Sequence, residues 1–294
     1  MPINKRWFKL SLTVLKLAVS AGILYFIFSR FEISVVLHNI LSLPLYVVLL
    51  MVITTVYKHY TQYIVWKNSL QFNPGFLHTW KQVFVSYMIG IPLRYLIPGG
   101  SASYGKMLYI QNTSKVASAV AVTSEKFFMT WMSWLMGAIA VLFLYPTLAV
   151  GIRITLCVVT VSIPILMYFV LGVFSQTRDL QPNYARKAPK LALIQFSYVC
   201  TTLFQMWMIF NLYHPISFWS SSVHFSMVTL VSTIPITLFG LGVRESLAMY
   251  FFHPLGFGAE QAVAATLTLF VFHDMIPALI GTVIWLKVPK TASS

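Results

Sequence analysis

Three groups of ionisable residues stand where a water-soluble fold would not put them. Arg244 and Glu245 follow an apolar run broken by Ile234-Pro235 and then by Phe239-Gly240-Leu241-Gly242. Glu125 and Lys126 fall inside a long apolar stretch, and Asp274, with His273 beside it, lies near the middle of another. A charge at the centre of a bilayer costs about 2.5 kcal/mol or more unless it is partnered. A chain with only six acidic residues that keeps three of them in such surroundings makes them the first candidates for function. Gly240 and Gly242 let the backbone turn. A half-helix starting there points free N–H groups and its positive dipole end into the membrane interior, a ready site for phosphate or carboxylate, and Arg244 adds a bidentate donor. Arg244 and Glu245 are about 100° apart on a helix, so each is expected to find its main partner elsewhere. Glu125 stands about ten residues into its helix, roughly 14 Å deep. Arg94 precedes and Lys106 follows a second Pro-Gly break at Pro98-Gly99. The chemistry these residues suit is recognition of a polar or anionic headgroup. Arg244 would hold phosphate, while Glu245, Glu125 and Asp274 would accept from an amine or hydroxyl and exchange protons. Lys126 and Lys106 would balance charge. The competing reading is that the same charges form ion pairs that only fix helix packing.

The elements that must position these residues are membrane helices. A chain that is 58% hydrophobic and 9% charged, with mean hydropathy +0.79, belongs to the integral membrane class. The net charge of +14 does not point to nucleic acid, because Lys and Arg are scattered at segment ends and form no basic stripe. Cys157 and Cys200 lie in separate apolar runs with no CxxC or His/Cys cluster, so neither a disulfide nor a zinc site is expected. No HExxH, Walker loop, GxSxG or dinucleotide fingerprint occurs, and no cofactor is expected.

Six segments reach the ~20 residues needed to cross the hydrocarbon: 10–28, 44–66, 116–145, 151–174, 191–213 and 260–287. All are expected to be helical, since lipid offers backbone groups no partners. Lys5, Arg6 and Lys9, Lys67 and Lys81, Arg178 to Lys190, and Lys287 with Lys290 assign both termini and those connectors to the cytoplasm. Arg30 and Arg153 are the exceptions. Regions 82–112 and 221–257 each carry an apolar piece, a Pro/Gly break and a second short helix-like piece. By parity each enters and leaves through one face, the first from the cytoplasm and the second from outside, as re-entrant pairs or pairs of short spans. The fold expected is therefore an all-α polytopic bundle of six long spans and two broken hairpins. It forms a single integral membrane domain over 1–294, with inverted halves 1–147 and 148–294, the plan of secondary transporters. Ala-rich helices leading to Gly137 and Gly281 follow the two breaks and permit close helix approach. His59 and Lys58, beside Tyr57, Tyr60, Tyr63 and Trp66, read as an interfacial aromatic belt, and Trp131 and Trp134 as packing.

The run Pro235, Gly240, Gly242, Arg244, Glu245 resembles the hallmark of the lysylphosphatidylglycerol synthase transmembrane region family, also described as flippase-like. In the first half Pro98, Gly99, Glu125 and Lys126 fit that family's pattern, with Ser103 where it tends to have an acid and Lys106 where it has Arg. The resemblance implies a translocator module without the soluble aminoacyl-transferase domain that some members carry. The function expected is movement of a lipid with a polar or anionic headgroup, a phospholipid or polyprenyl-phosphate glycolipid, between leaflets of the cytoplasmic membrane, with no chemical conversion of it. Two alternatives stand beside it: an intramembrane enzyme on a lipid-linked substrate using Glu125 or Asp274 as acid or base, and a structural subunit of a membrane complex.

Overall fold

Short hydroxyl side chains start several of the helices. Thr79 Oγ1 accepts from the Gln82 amide, Ser114 Oγ from Ala117 and Ser217 Oγ from Ser220, each satisfying an amide that the first turn leaves without a partner. The computed structural model describes residues 41–288 apart from 74, 78, 96–97, 112–113 and 235–242, with backbone alone at 98–101. The helices are α1 (Leu45–Leu70), α2 (Trp80–Leu93), a 3-10 helix (Pro98–Tyr109), α3 (Lys115–Leu144), α4 (Val150–Val173), the short α5 (Ser175–Arg178), α6 (Gln181–Tyr213), α7 (Phe218–Ser232), α8 (Val243–Phe252), α9 (Ala259–Phe270) and α10 (Ile276–Lys287). A π-helical turn, Val271–Met275, joins α9 to α10 without a break. Among the described residues the protein is all-α, and four helical stretches are long and apolar enough to cross a membrane: α3, α4, α6 and the composite α9–α10. The 26-residue α1 matches them in length but carries Lys58, His59 and Lys67. The first expected span, 10–28, lies outside the described residues.

Side-chain contacts group the connectors by end. Asn183 Nδ2 donates to the Phe72 carbonyl and Lys187 Nζ to Gln71 Oε1, so the turn after α1 and the start of α6 share one end. At the other end Phe143 packs edge-on to Trp219, and Trp207 Nε1 donates to the Ile216 carbonyl. Arg153, the exception to the charge rule, sits there with Nη1 on the Leu142 carbonyl, satisfying an orphan acceptor at the end of α3. The first hairpin starts at Trp80 and returns to the same end, where Trp285 Nε1 meets Tyr109 Oη. The second starts at Phe218 and returns to the opposite end, where Phe252 stacks on Phe210 at 3.8 Å between centroids.

The connector expected over Ser175 to Lys190 is instead mostly helix, since α6 begins at Gln181, ten residues before the apolar span. Pro182 in its first turn suits a helix start, and Tyr184 anchors the extension by donating to the Pro164 carbonyl from a buried position. Of the long stretches, α4 has 6% of its apolar window buried and faces outward, while α9–α10, at 56%, runs through the middle.

Two glycines set close helix crossings between the halves. A Cβ on Gly137 would stand 2.6 Å from Leu230 of α7, and one on Gly281 would meet the Met88 carbonyl oxygen and stand 2.8 Å from the Pro92 ring of α2. Pro92 explains the second crossing. It has no N–H for the carbonyl four residues back, which is that of Met88, and this freed oxygen points at the Gly281 backbone. Gly281→Ala is therefore expected to destabilise the protein by about 1–3 kcal/mol, because the obstructing atom is backbone and cannot swing away. Gly151→Ala, whose Cβ meets nothing within 4 Å, is the control. Thermal unfolding in detergent separates the two, and an unchanged midpoint for Gly281→Ala would refute this account of the crossing.

Candidate functional site

Pro277 governs the centre of the molecule in the same way that Pro92 governs α2. It lacks the N–H that would bond the His273 carbonyl, and the helix widens into the π turn Val271–Met275 around that position. The freed His273 carbonyl accepts from Lys58 Nζ at 2.8 Å and from His59 Nε2 at 3.1 Å, both reaching over from α1. With Nε2 donating, neutral His59 accepts at Nδ1 from the Tyr87 hydroxyl, 2.7 Å away. The His273 side chain turns to the other side and bonds Gln205 Oε1 of α6, while Gln205 Nε2 donates to Thr54 Oγ1 at 2.7 Å. α1, α6 and the π turn are thus tied through side chains and one displaced carbonyl.

Asp274, the next residue along, receives the cations. Arg94 Nη2 donates to its Oδ1 at 2.5 Å, Lys58 Nζ lies 3.8 Å from the same oxygen, and Arg244 Nη1 lies 4.0 Å from Oδ2. Arg94 comes from the end of α2, Arg244 from the first turn of α8 and Lys58 from the middle of α1, so one carboxylate holds three elements distant in sequence. Lys58 is only 3% exposed.

A second cluster adjoins the first. Lys106, from the 3-10 arm, forms a buried ion pair with Glu125 of α3. Its stem crosses Gly90, where a Cβ would stand 2.8 Å from Lys106 Cδ, and its ammonium sits 3.8 Å from the centroid of the Trp66 ring. The indole is fixed in turn by Nε1 donating to Ser86 Oγ at 2.8 Å. Lys126 lies over the Tyr104 ring at 4.9 Å.

Both clusters border one cavity of about 170 Å³. Lys58, Arg94, Lys106, Lys126 and Glu125 line it, with His59, Gln62, Tyr87, Ser103 and Tyr198 among the remaining walls. At about 30 Å³ per water, this volume has room for roughly five waters. Lys58, Asp274 and Tyr198 all lie near the midpoints of their helices, which puts the cavity deep in the molecule's long dimension.

Of the residues singled out from sequence, Glu125, Lys126 and Lys106 line the cavity, and Asp274 meets it through Arg94. Arg244 joins at the edge through Asp274 rather than through Glu245, as expected for neighbours on a helix. Glu245 is buried on α8. Gly240 and Gly242 lie outside the described residues. The reading of Lys58 and His59 as an interfacial belt is corrected: Tyr57 and Tyr60 do face outward, while Lys58 and His59 turn to the opposite side of α1 and into the site. The signal that pointed there was Pro277, four residues after His273, which promises a free carbonyl in mid-helix. Trp131 packs as expected, its Nε1 on the Thr160 carbonyl.

If Asp274 holds three cations together, its loss leaves them facing one another. Asp274→Asn is expected to lower stability by roughly 3 kcal/mol, the cost of breaking a buried pair from one side. Adding Lys58→Met, which removes the most deeply buried of the three charges, is expected to restore part of that loss. A double-mutant cycle in chemical denaturation checks this, and strict additivity of the two changes would contradict the shared cluster.

No curated protein matches this chain in comparison. The family model described as Lysylphosphatidylglycerol synthase TM region matches residues 13–281. With multiple apolar helices and a match over nearly all of its length, the chain belongs to the lysylphosphatidylglycerol synthase TM region family, multi-pass membrane proteins linked to lipid metabolism or transport.

Proposed function

We propose that the protein moves a lipid with a polar or anionic headgroup between the leaflets of the cytoplasmic membrane, without changing the lipid chemically. The observation that carries this reading is the cavity lined by Lys58 and Arg94, two of the cations that meet Asp274, and by the Lys106–Glu125 pair. Ionisable groups at that depth mark substrate pathways in transporters. Donors from α1, α2, the 3-10 arm and α3 surround a space large enough to take water, while the acyl chains of a bound lipid would remain in the apolar surroundings of the bundle.

The halves 1–147 and 148–294 supply the machinery for alternating access. Gly137 and Gly281 are each the twenty-third residue of the long helix that follows a hairpin, and each packs against the first arm of the other half's hairpin. The two hairpins open at opposite ends. This reciprocal exchange is what two inverted units related about an axis in the membrane plane would produce. Lys67, Arg186, Lys187 and Lys190 gather at one end, which we assign to the cytoplasm.

In this scheme Arg244 docks the headgroup phosphate. It is half-buried and only 4.0 Å from Asp274, so Arg244→Ala is expected to change stability by less than about 1 kcal/mol. Transfer of labelled phospholipid across vesicles holding the purified protein should fall at least about ten-fold, the loss of one charge-assisted contact. The recovered lipid should keep its mass throughout. Undiminished transfer in the Arg244→Ala variant would remove that residue from the scheme, and an altered lipid mass would make the protein an enzyme.

A further inference from the structure

The polar start of α6 is pinned at three points to the rest of the protein. Asn183 Nδ2 donates to the Phe72 carbonyl, Tyr184, 1% exposed, donates to the Pro164 carbonyl of α4, and Lys187 Nζ donates to Gln71 Oε1 at 2.7 Å. Gln71 closes α1 one turn after Lys67, so that lysine shares its side of the helix. The charges that act on Lys187 are those of Lys190, Arg186 and Lys67. Among the described residues none of Arg186, Lys187 and Lys190 forms an ion pair with a carboxylate, Asp179 included. The sequence assigns Glu32, the one acidic residue outside them, to the opposite side of the membrane, after the first expected span.

This anchoring fixes a row of side chains on the outside of α6. Arg186, Lys190 and Leu193, spaced four and three residues apart, fall within about 60° of one another around the helix. Arg186 and Lys190 are exposed, and Leu193 is 69% exposed. Over about 10 Å of helix the row passes from guanidinium and ammonium to uncovered hydrocarbon. It does so where the apolar span begins, at residue 191. A phospholipid changes from headgroup phosphate to acyl chain at that same level. We infer that this face of α6, with Lys67 and Lys187 beside it, binds an anionic phospholipid of the cytoplasmic leaflet, its phosphate at Arg186 and Lys190 and an acyl chain along Leu193. Charge complementarity selects the lipid, since each Lys or Arg close to an anionic leaflet is worth about five-fold in affinity. The lipid sits at the surface and not in the cavity, so the inference does not rest on translocation.

The test offers the purified full chain phosphatidylglycerol and phosphatidylcholine of matched acyl chains at equal concentration, read by native mass spectrometry at low and high salt. Phosphatidylglycerol is expected to be retained over phosphatidylcholine, and the preference should fall about ten-fold in the double variant Arg186→Gln/Lys190→Gln. Arg186→Gln alone should lose part of it. Raising the salt should weaken the preference in the unaltered chain. Lys81→Gln, which removes an exposed charge of α2 that does not act on Lys187, is expected to leave it unchanged. No preference in the unaltered chain, or one that survives the double substitution, overturns the site. An equal loss in Lys81→Gln also overturns it, reducing the effect to diffuse surface charge. A preference that falls in Lys106→Gln instead would put the retained lipid in the cavity, overturning the α6 site and leaving translocation standing. Conversely, a chain that keeps the α6-dependent preference but moves no lipid between leaflets would sink translocation and leave this site in place.

Discussion

A missing hydrogen-bond donor organises this molecule. Pro277 cannot serve the His273 carbonyl, so the helix opens into a π turn and that oxygen takes Lys58 and His59 as partners. The widened turn also carries Asp274, where it collects Arg94 and Arg244. With an ordinary amide donor at position 277, the segment would offer Lys58 no carbonyl, and a buried ammonium without it would be left to Asp274 alone. Local backbone chemistry, the burial of a lysine and the meeting of four helices are therefore one constraint.

Pro92 repeats the device on α2 with a different result. The Met88 carbonyl it frees is met by the bare backbone of Gly281, so α2 and α10 approach more closely than any side chain allows. Arg94 is two residues past Pro92 and Asp274 is seven before Gly281. The close crossing and the 2.5 Å ion pair thus lie within about two turns of each other, and the first brings the second into range. Rigid placement of this kind suits a site whose charges must hold their positions in a low-dielectric medium.

Much of this was legible in the sequence because charge in an apolar run is costly and therefore informative. Glu125, Asp274, Arg94 and Lys106 drew notice on that ground, and the structure gathers them. The ends of α3, α4 and α9–α10 fall within a residue of their apolar stretches, since hydrocarbon thickness fixes helix length. Lys58 and His59 were not legible, because they share a helix with outward aromatic residues and hydropathy cannot tell which face of α1 meets the π turn. The extension of α6 was hidden for a related reason: residues 181–190 are polar, and their anchors, Tyr184 and Asn183, act through carbonyls on other elements.

An arrangement serving packing alone would be expected to balance its charges, or to replace them with apolar residues of similar volume, which is often neutral or stabilising. Among the described residues, Lys58, Arg94, Lys106 and Lys126 line a cavity close to Asp274 and Glu125 rather than dry packing. The aromatic faces beside Lys106 and Lys126 hold those cations in place without neutralising them. Four basic side chains are thus held beside a cavity large enough to take water. That combination is costly for a scaffold; in the translocator proposed above it would serve to bind an anionic headgroup, because the affinity would come from charge already desolvated and oriented before the ligand arrives.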